Sequence, residues 1–214
     1  MVDYATALEK ITNPPPKVQL MYGAVAEFIH EKRNIGTLKV EDITKRAGIG
    51  KGTAYEYFSS KEELISYALL FEYSKRFATL VEGVAAREGF QAKFECILEW
   101  IYDNSAYHMM FTKIIRLISY NVQEGEAEIK LHVSEELLEG LRDSMRTLIC
   151  DYMKLGLEEG VIKQEDERKR LIAFLTAIVE YNLSLGVSKE KCPFALEDDK
   201  MREFVYESMV KALN

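Results

Sequence analysis

The chain has 214 residues, a formal net charge of −7, 48% hydrophobic and 29% charged residues, which excludes a disordered or fibrous protein and fits a soluble globular one. No apolar run approaches the ~20 residues of a membrane helix, and the N-terminus MVDYATALEK lacks the basic head and apolar stretch of a secretory signal. A cytoplasmic protein with no membrane partner is therefore expected, and its three widely spaced cysteines, Cys96, Cys150 and Cys192, fit reduced thiols better than a disulfide framework or a zinc knuckle.

Helical periodicity runs along nearly the whole chain and strand alternation along almost none of it, so the expected fold class is all-α. Pro14 to Pro16 mark a short stiff arm, and the last proline suits the first turn of a helix. Val18, Met21, Val25, Phe28 and Ile29 then form one apolar stripe that runs out near Arg33, with Gly36 available as a stop. A short helix is predicted from Val40 to Arg46, turning Val40, Ile43 and Ala47 inward. Gly48 can take a left-handed turn without steric penalty, and a polar, aromatic helix starts at Gly50 or Lys51, which makes a helix-turn-helix pattern. Ser60 followed by Glu63 reads as a capping box opening a fourth helix, in which Leu64, Ile65, Ala68, Leu69 and Phe71 continue the core.

Charge is informative once it is divided by segment. Residues 1 to 64 hold nine basic and nine acidic side chains, so the whole surplus of acid lies beyond them. Between residues 32 and 61 seven basic residues face three acidic ones, and a polyanion would be met by this end. If Ala54 and Phe58 face the core, the opposite face of the third helix is Gly52, Thr53, Glu56 and Tyr57. That face is expected to enter a major groove. Gly50 and Gly52 hold no side chain against a phosphate, while Lys51, Thr53, Tyr55 and Tyr57 supply a cation and three hydroxyls for phosphates or base edges. Thr37 and Lys39 before the second helix and Lys61 in the fourth are expected on flanking phosphates. Glu56 repels phosphate but accepts a hydrogen bond from a cytosine amino group, and is expected to read that base.

Residues 18 to 70 resemble the DNA-binding domain of the tetracycline-repressor (TetR) family. The isoleucine of the second helix, the Ala47-Gly48 turn, Lys51-Gly52-Thr53, the aromatic pair ending in Phe58 and Ser60-Lys61-Glu62-Glu63-Leu64 stand at the family's spacing. Alanine replaces the usual leucine at position 54, so the core there must be filled from elsewhere, with Met21 the candidate, and Glu56 replaces a more usual aromatic or neutral residue. The resemblance implies two domains, a helix-turn-helix domain over 1–64 with its N-terminal arm and a helical effector-binding and dimerisation domain over 65–214.

Five further helices are predicted beyond residue 75: one carrying Phe90, Phe94, Ile97, Leu98 and Ile101, an apolar one from Tyr107 to Tyr120, a long one from Val133 to Leu155 ended by Gly160, and two more over Leu171 to Gly186 and Met201 to Leu213. In the resembled family the last two helices form a four-helix interface with a second subunit, which points here to Leu171, Leu175, Ile178, Val179, Phe204, Val205 and Ser208. A homodimer also follows from reading a palindrome with two recognition helices ~34 to 36 Å apart.

By the same resemblance the larger domain surrounds an effector cavity. The candidate residues are Glu99, Trp100, Tyr102, Tyr107, His108, Met110, Phe111, Tyr152, Phe174 and Tyr181, although most aromatics of a bundle are simply core. His108 and His132 with Cys96 or Cys150 lack the paired spacing of a metal site, so no metal or other cofactor is expected. There is no Gly-rich phosphate loop, Gly-x-Ser-x-Gly elbow or His-Glu-x-x-His helix, so no catalytic residues and no enzyme are expected. The expected function is a ligand-responsive, DNA-binding transcriptional regulator, a repressor released from a palindromic operator by a small, largely apolar or aromatic effector. Two alternatives stay open: a helical sensor or scaffold of this type that no longer binds DNA, and an enzyme hidden in the C-terminal bundle.

Overall fold

The computed structural model describes residues 4–104, 131–185 and 197–214, and among these every regular element is helical. They fall into two compact units, one made of residues 4–78 and 131–141, the other of 79–104, 142–185 and 197–214. The division expected after residue 64 thus falls inside a continuous helix, and the first unit also takes in a later piece of the chain.

The first unit begins with a helix that the sequence reading did not contain, α1 (Tyr4–Thr12). Ile11 at its end is buried, and the Tyr22 hydroxyl donates to the Lys10 carbonyl at 3.2 Å. Pro14 to Pro16 are therefore a joint between two helices rather than a free arm. Pro16 opens α2 (Pro16–His30) as expected. The helix ends without help from Gly36: Lys32 turns the chain in the left-handed region at φ 57°, and the Arg33 amide returns to the Phe28 carbonyl at 3.0 Å. Gly36 instead lies in a short 3-10 turn (Ile35–Thr37), where the Asn34 side chain accepts from its amide.

The next two helices are α3 (Val40–Arg46) and α4 (Lys51–Tyr57), separated by Gly48 at φ 69°. Val40 and Ile43 turn inward as predicted. Helix α2 packs on α3 and α3 on α4. The alanine at position 54 is almost completely enclosed, and Met21 of α2, the expected filler, has no exposure. The Tyr22 ring lies 5.2 Å from that of Phe71 and 6.1 Å from that of Phe58. Helix α5 (Lys61–Ala85) starts with the Glu63 amide donating to Ser60 Oγ at 3.0 Å. Seven consecutive residues, Leu64 to Leu70, are buried, so this stretch has neighbours on every side. One of them is the later segment that begins at residue 131: the His132 amide donates to Ser66 Oγ at 2.9 Å.

The second unit contains α6 (Phe90–Asp103), most of α7 (Glu135–Glu158), α8 (Glu167–Leu185) and α9 (Asp198–Ala212). Helix α8 packs against both α6 and α9. Gly160, at φ 70°, ends α7 as the sequence predicted. The C-terminus is tied back by the amides of Lys163 and Gln164, both donating to the Leu213 carbonyl. The helix predicted from Tyr107 to Tyr120 lies outside the described residues, as does Cys192.

Two glycines inside helices make opposite predictions. A Cβ on Gly23 in α2 would meet nothing within 4 Å, whereas a Cβ on Gly156 in α7 would come within 2.7 Å of the fully buried Phe90 ring. Gly23→Ala is expected to raise stability by about 0.5–1 kcal/mol through lost backbone entropy in the unfolded chain. Gly156→Ala should lower it by about 1–3 kcal/mol, because the new methyl group forces a fully buried ring to shift. Urea unfolding midpoints of the two variants check both signs.

Candidate nucleic-acid interface

The seven residues of α4 are held from beneath by Ala54 and Phe58, 2% and 3% exposed. One turn of helix separates them, which fixes the rotation of α4 about its axis. Gly50, Lys51, Gly52, Tyr55 and Glu56 are consequently exposed, while Thr53 and Tyr57 lie half-buried at the edges. The outward face is thus centred nearer Tyr55 than the sequence reading placed it. Thr37 and Lys39 are exposed on the adjoining turn, and Lys61 joins them because its ammonium donates to the Gly36 carbonyl at 3.1 Å. That bond brings the start of α5 beside the turn before α3.

Carboxylates hold two of these cations. Lys51 pairs with Glu41 of α3, and the hydrogen bond and opposite charge lower the Glu41 carboxyl and raise the Lys51 ammonium from their ordinary values. Lys61 also lies 3.4 Å from Glu62. Arg46, counted in the basic surplus, is engaged elsewhere: its guanidinium stacks 4.0 Å from the Phe28 ring centroid and pairs with Glu31 and Glu27. The basic surface is therefore formed by Lys39, Lys45, Lys51 and Lys61 more than by arginine.

The far end of α4 meets a residue the sequence reading missed. Lys10 Nζ lies 3.1 Å from Glu63 Oε1 and 3.4 Å from the Tyr57 carbonyl, with the Tyr67 and Phe58 ring centroids at 4.8 and 5.4 Å. The other Glu63 oxygen accepts from the Ser59 amide at 2.7 Å and the Ser59 hydroxyl at 2.6 Å. The expected capping box is thus modified: Ser60 caps the helix, but Glu63 reaches Ser59. No sequence signal links positions 10 and 63, because only the fold of α1 back onto the domain joins them.

In the second unit the candidate effector residues divide. Tyr152 and Phe174 are core: the Tyr152 ring stacks on that of Phe90 at 4.6 Å, its hydroxyl donates to the Phe90 carbonyl, and the Phe174 ring meets it edge-on at 5.7 Å. Tyr181 is fully buried and donates to Asp198 at 2.6 Å. Burial and that carboxylate raise its phenol far above the ordinary value. Glu99 lies between the guanidinium groups of Arg87 and Arg202, at 3.6 and 3.7 Å. Trp100 donates to the Thr79 hydroxyl, and Tyr102 is exposed. Tyr107, His108, Met110 and Phe111 lie outside the described residues.

The residues expected at a subunit interface divide too. Leu175, Ile178 and Val205 are 5%, 5% and 0% exposed within the single chain, which leaves them almost no surface for a second subunit. Leu171, Val179 and Ser208 are half-buried, and Phe204 is exposed, together with Ile172 and Leu183, which the sequence reading did not select. A helix whose apolar residues cover a broad arc does not reveal from spacing alone which part of the arc is claimed by its own chain.

These features define a helix-turn-helix protein with a helical second unit. Residues 24–68 match the sequence model of the bacterial regulatory proteins of the tetR family, which covers the helix-turn-helix part of the chain. No curated protein matches the chain in sequence. The transcriptional regulator FadR from Bacillus subtilis, solved in complex with stearoyl-CoA, is similar over 92% of this chain and 99% of its own, with 16% identity and a TM-score of 0.61. A bacterial regulatory protein in the tetR family from Rhodococcus RHA1 gives 94% and 98%, 13% identity and 0.59. The ketosteroid transcriptional regulator KstR2 of Mycobacterium tuberculosis gives 95% of each chain, 19% identity and 0.52. At these identities the likeness is one of fold.

The Glu63 junction carries a pH dependence. Burial pushes its carboxyl up, but the Ser59 bonds and the Lys10 ammonium outweigh this and hold it below the ordinary value. A carboxyl depressed in the folded state contributes stability above its unfolded value and loses it as pH falls through the folded one. Acidification below about pH 4 should therefore destabilise the wild type more than Glu63→Gln. Parallel urea midpoints across that range would contradict the assignment.

Proposed function

We propose that the chain is a ligand-responsive transcriptional regulator, a homodimer that reads a palindromic operator with α4 and is released from it by a small, largely apolar or aromatic effector. The observation that carries this reading is the exposed face of α4, fixed in rotation by Ala54 and Phe58 and flanked by Thr37, Lys39, Lys51 and Lys61. Phosphate contacts position such a helix and base contacts give it specificity. Lys51 and Lys61 are assigned to phosphates, Tyr55 and Glu56 to base edges, with Thr53 and Tyr57 at the margins of the face. Ile172, Leu183 and Phe204 are assigned to the dimer, since they keep their apolar surface exposed in the single chain.

The effector class draws support from two similar proteins, one solved with stearoyl-CoA and one described as a ketosteroid regulator. An effector releases DNA only by binding the DNA-incompetent form better, and a preference of ~100-fold corresponds to ~2.7 kcal/mol of coupling. Stearoyl-CoA titrated into a protein–duplex complex is the first probe of this class. Release is expected, and binding without release would refute the coupling for that ligand.

The interface makes two further predictions, both read by duplex titration across a range of salt. Lys61→Ala is expected to weaken binding to all sequences about equally and reduce the slope of log affinity against log salt by about 1. Glu56→Ala should instead relax preference at one base position, with a cost of about 1–3 kcal/mol on the preferred sequence. Tighter binding to every sequence alike would reduce Glu56 to an electrostatic brake.

A further inference from the structure

We propose that Lys10 is a positioning residue for the recognition helix, and that α1 is a strap which sets sequence preference by fixing the C-terminal end of α4; this rests on the reading of α4 as a DNA-reading helix. The carbonyls in the last turn of a helix lack partners within it, and a cation there is favourable both as a donor and against the helix dipole. Lys10 provides that cation from outside the helix-turn-helix itself. Its ammonium lies 3.4 Å from the Tyr57 carbonyl and 3.1 Å from Glu63, and Glu63 in turn holds the Ser59 amide and hydroxyl.

The strap is anchored at its other side as well. Ile11 is buried, and the Tyr22 hydroxyl of α2 donates to the carbonyl of Lys10 itself. The Lys10 side chain, 23% exposed, lies over the rings of Tyr67 and Phe58 at 4.8 and 5.4 Å, within the range of a cation–π attraction. One side chain thus contacts α4, the turn after it and α5. Glu56 and Tyr57, on the face assigned to the groove, immediately precede the held carbonyl. Loss of the Lys10 donors would let the last turn of α4 shift while Ala54 still anchors its middle. Contacts to base edges need that alignment, whereas contacts of flexible lysines to phosphate tolerate its loss.

The test uses the full chain with Lys10→Met, which keeps an unbranched apolar stem but no donor, and Lys10→Arg, which keeps charge and donors. Two readouts are taken: amide hydrogen exchange at Phe58 and Ser59, and affinity for two duplexes, the one the wild type retains most tightly from a random pool and an unrelated one. For Lys10→Met we expect exchange at Phe58 and Ser59 to rise about tenfold, with Leu69 and Leu70 unchanged. Affinity for the selected duplex should fall about tenfold and that for the unrelated duplex less than about twofold, with Lys10→Arg restoring most of both effects. Unchanged exchange at Phe58 and Ser59, equal losses on both duplexes, or a Lys10→Arg variant no better than Lys10→Met would each overturn the proposal. A wild type that retains no duplex at all would instead overturn the DNA-binding reading, and the positioning role with it, whereas exchange would still report whether the strap holds α4.

Discussion

A helix of seven residues closes too few hydrogen bonds to persist in water, where isolated helices shorter than ~12–15 residues are marginal. Helix α4 exists because its surroundings hold it, and the rest of the first unit can be understood as the means of holding it. Among its own residues only Ala54 is fully buried, and Phe58 just beyond its end supplies most of the apolar anchor. Tyr22, Phe71 and Tyr67 bring rings around Phe58 and each other. Ala54 is buried without adding bulk, and the ring cluster is built on Phe58 instead. The polar side of α4 is then free to carry residues chosen for something other than folding.

The same economy governs charge. The chain has a net charge of −7, but its first 64 residues are neutral. At physiological ionic strength a phosphate responds mainly to charges within about 8 Å, so the local balance around α4 matters more than the total. That balance is finer than a count of lysines implies, since Lys51 is shared with Glu41 and Arg46 is committed to Glu31 and Phe28. A polyanion reaching Lys51 would have to compete with Glu41.

Much of the first unit was legible in the sequence because its signals are local. Val40 and Arg46 bound α3 as predicted, Gly48 makes the left-handed turn, and Ala54 and Phe58 face inward. What could not be read depends on contacts distant along the chain. Helix α1 lacks a long apolar stripe and is stabilised by docking through Ile11 and Lys10, so periodicity missed it. The stripe of α2 runs out near Arg33 and glycine, the usual residue in a left-handed turn, is available only at Gly36, yet Lys32 takes that conformation. In the second unit spacing found the helices but not their facing. Leu175, Ile178 and Val205, expected at a partner subunit, are buried within the single chain, and the Tyr152 ring packs on those of Phe90 and Phe174.

The most direct measurement is selection from a pool of random duplexes by the purified protein at physiological salt, followed by sequencing of what is retained. The account predicts a palindrome whose half-sites lie about one helical turn apart, ~34 to 36 Å, with a cytosine at the position Glu56 reads. Retention of duplexes without any common sequence, or of none, would contradict the claim that the exposed face of α4 reads DNA.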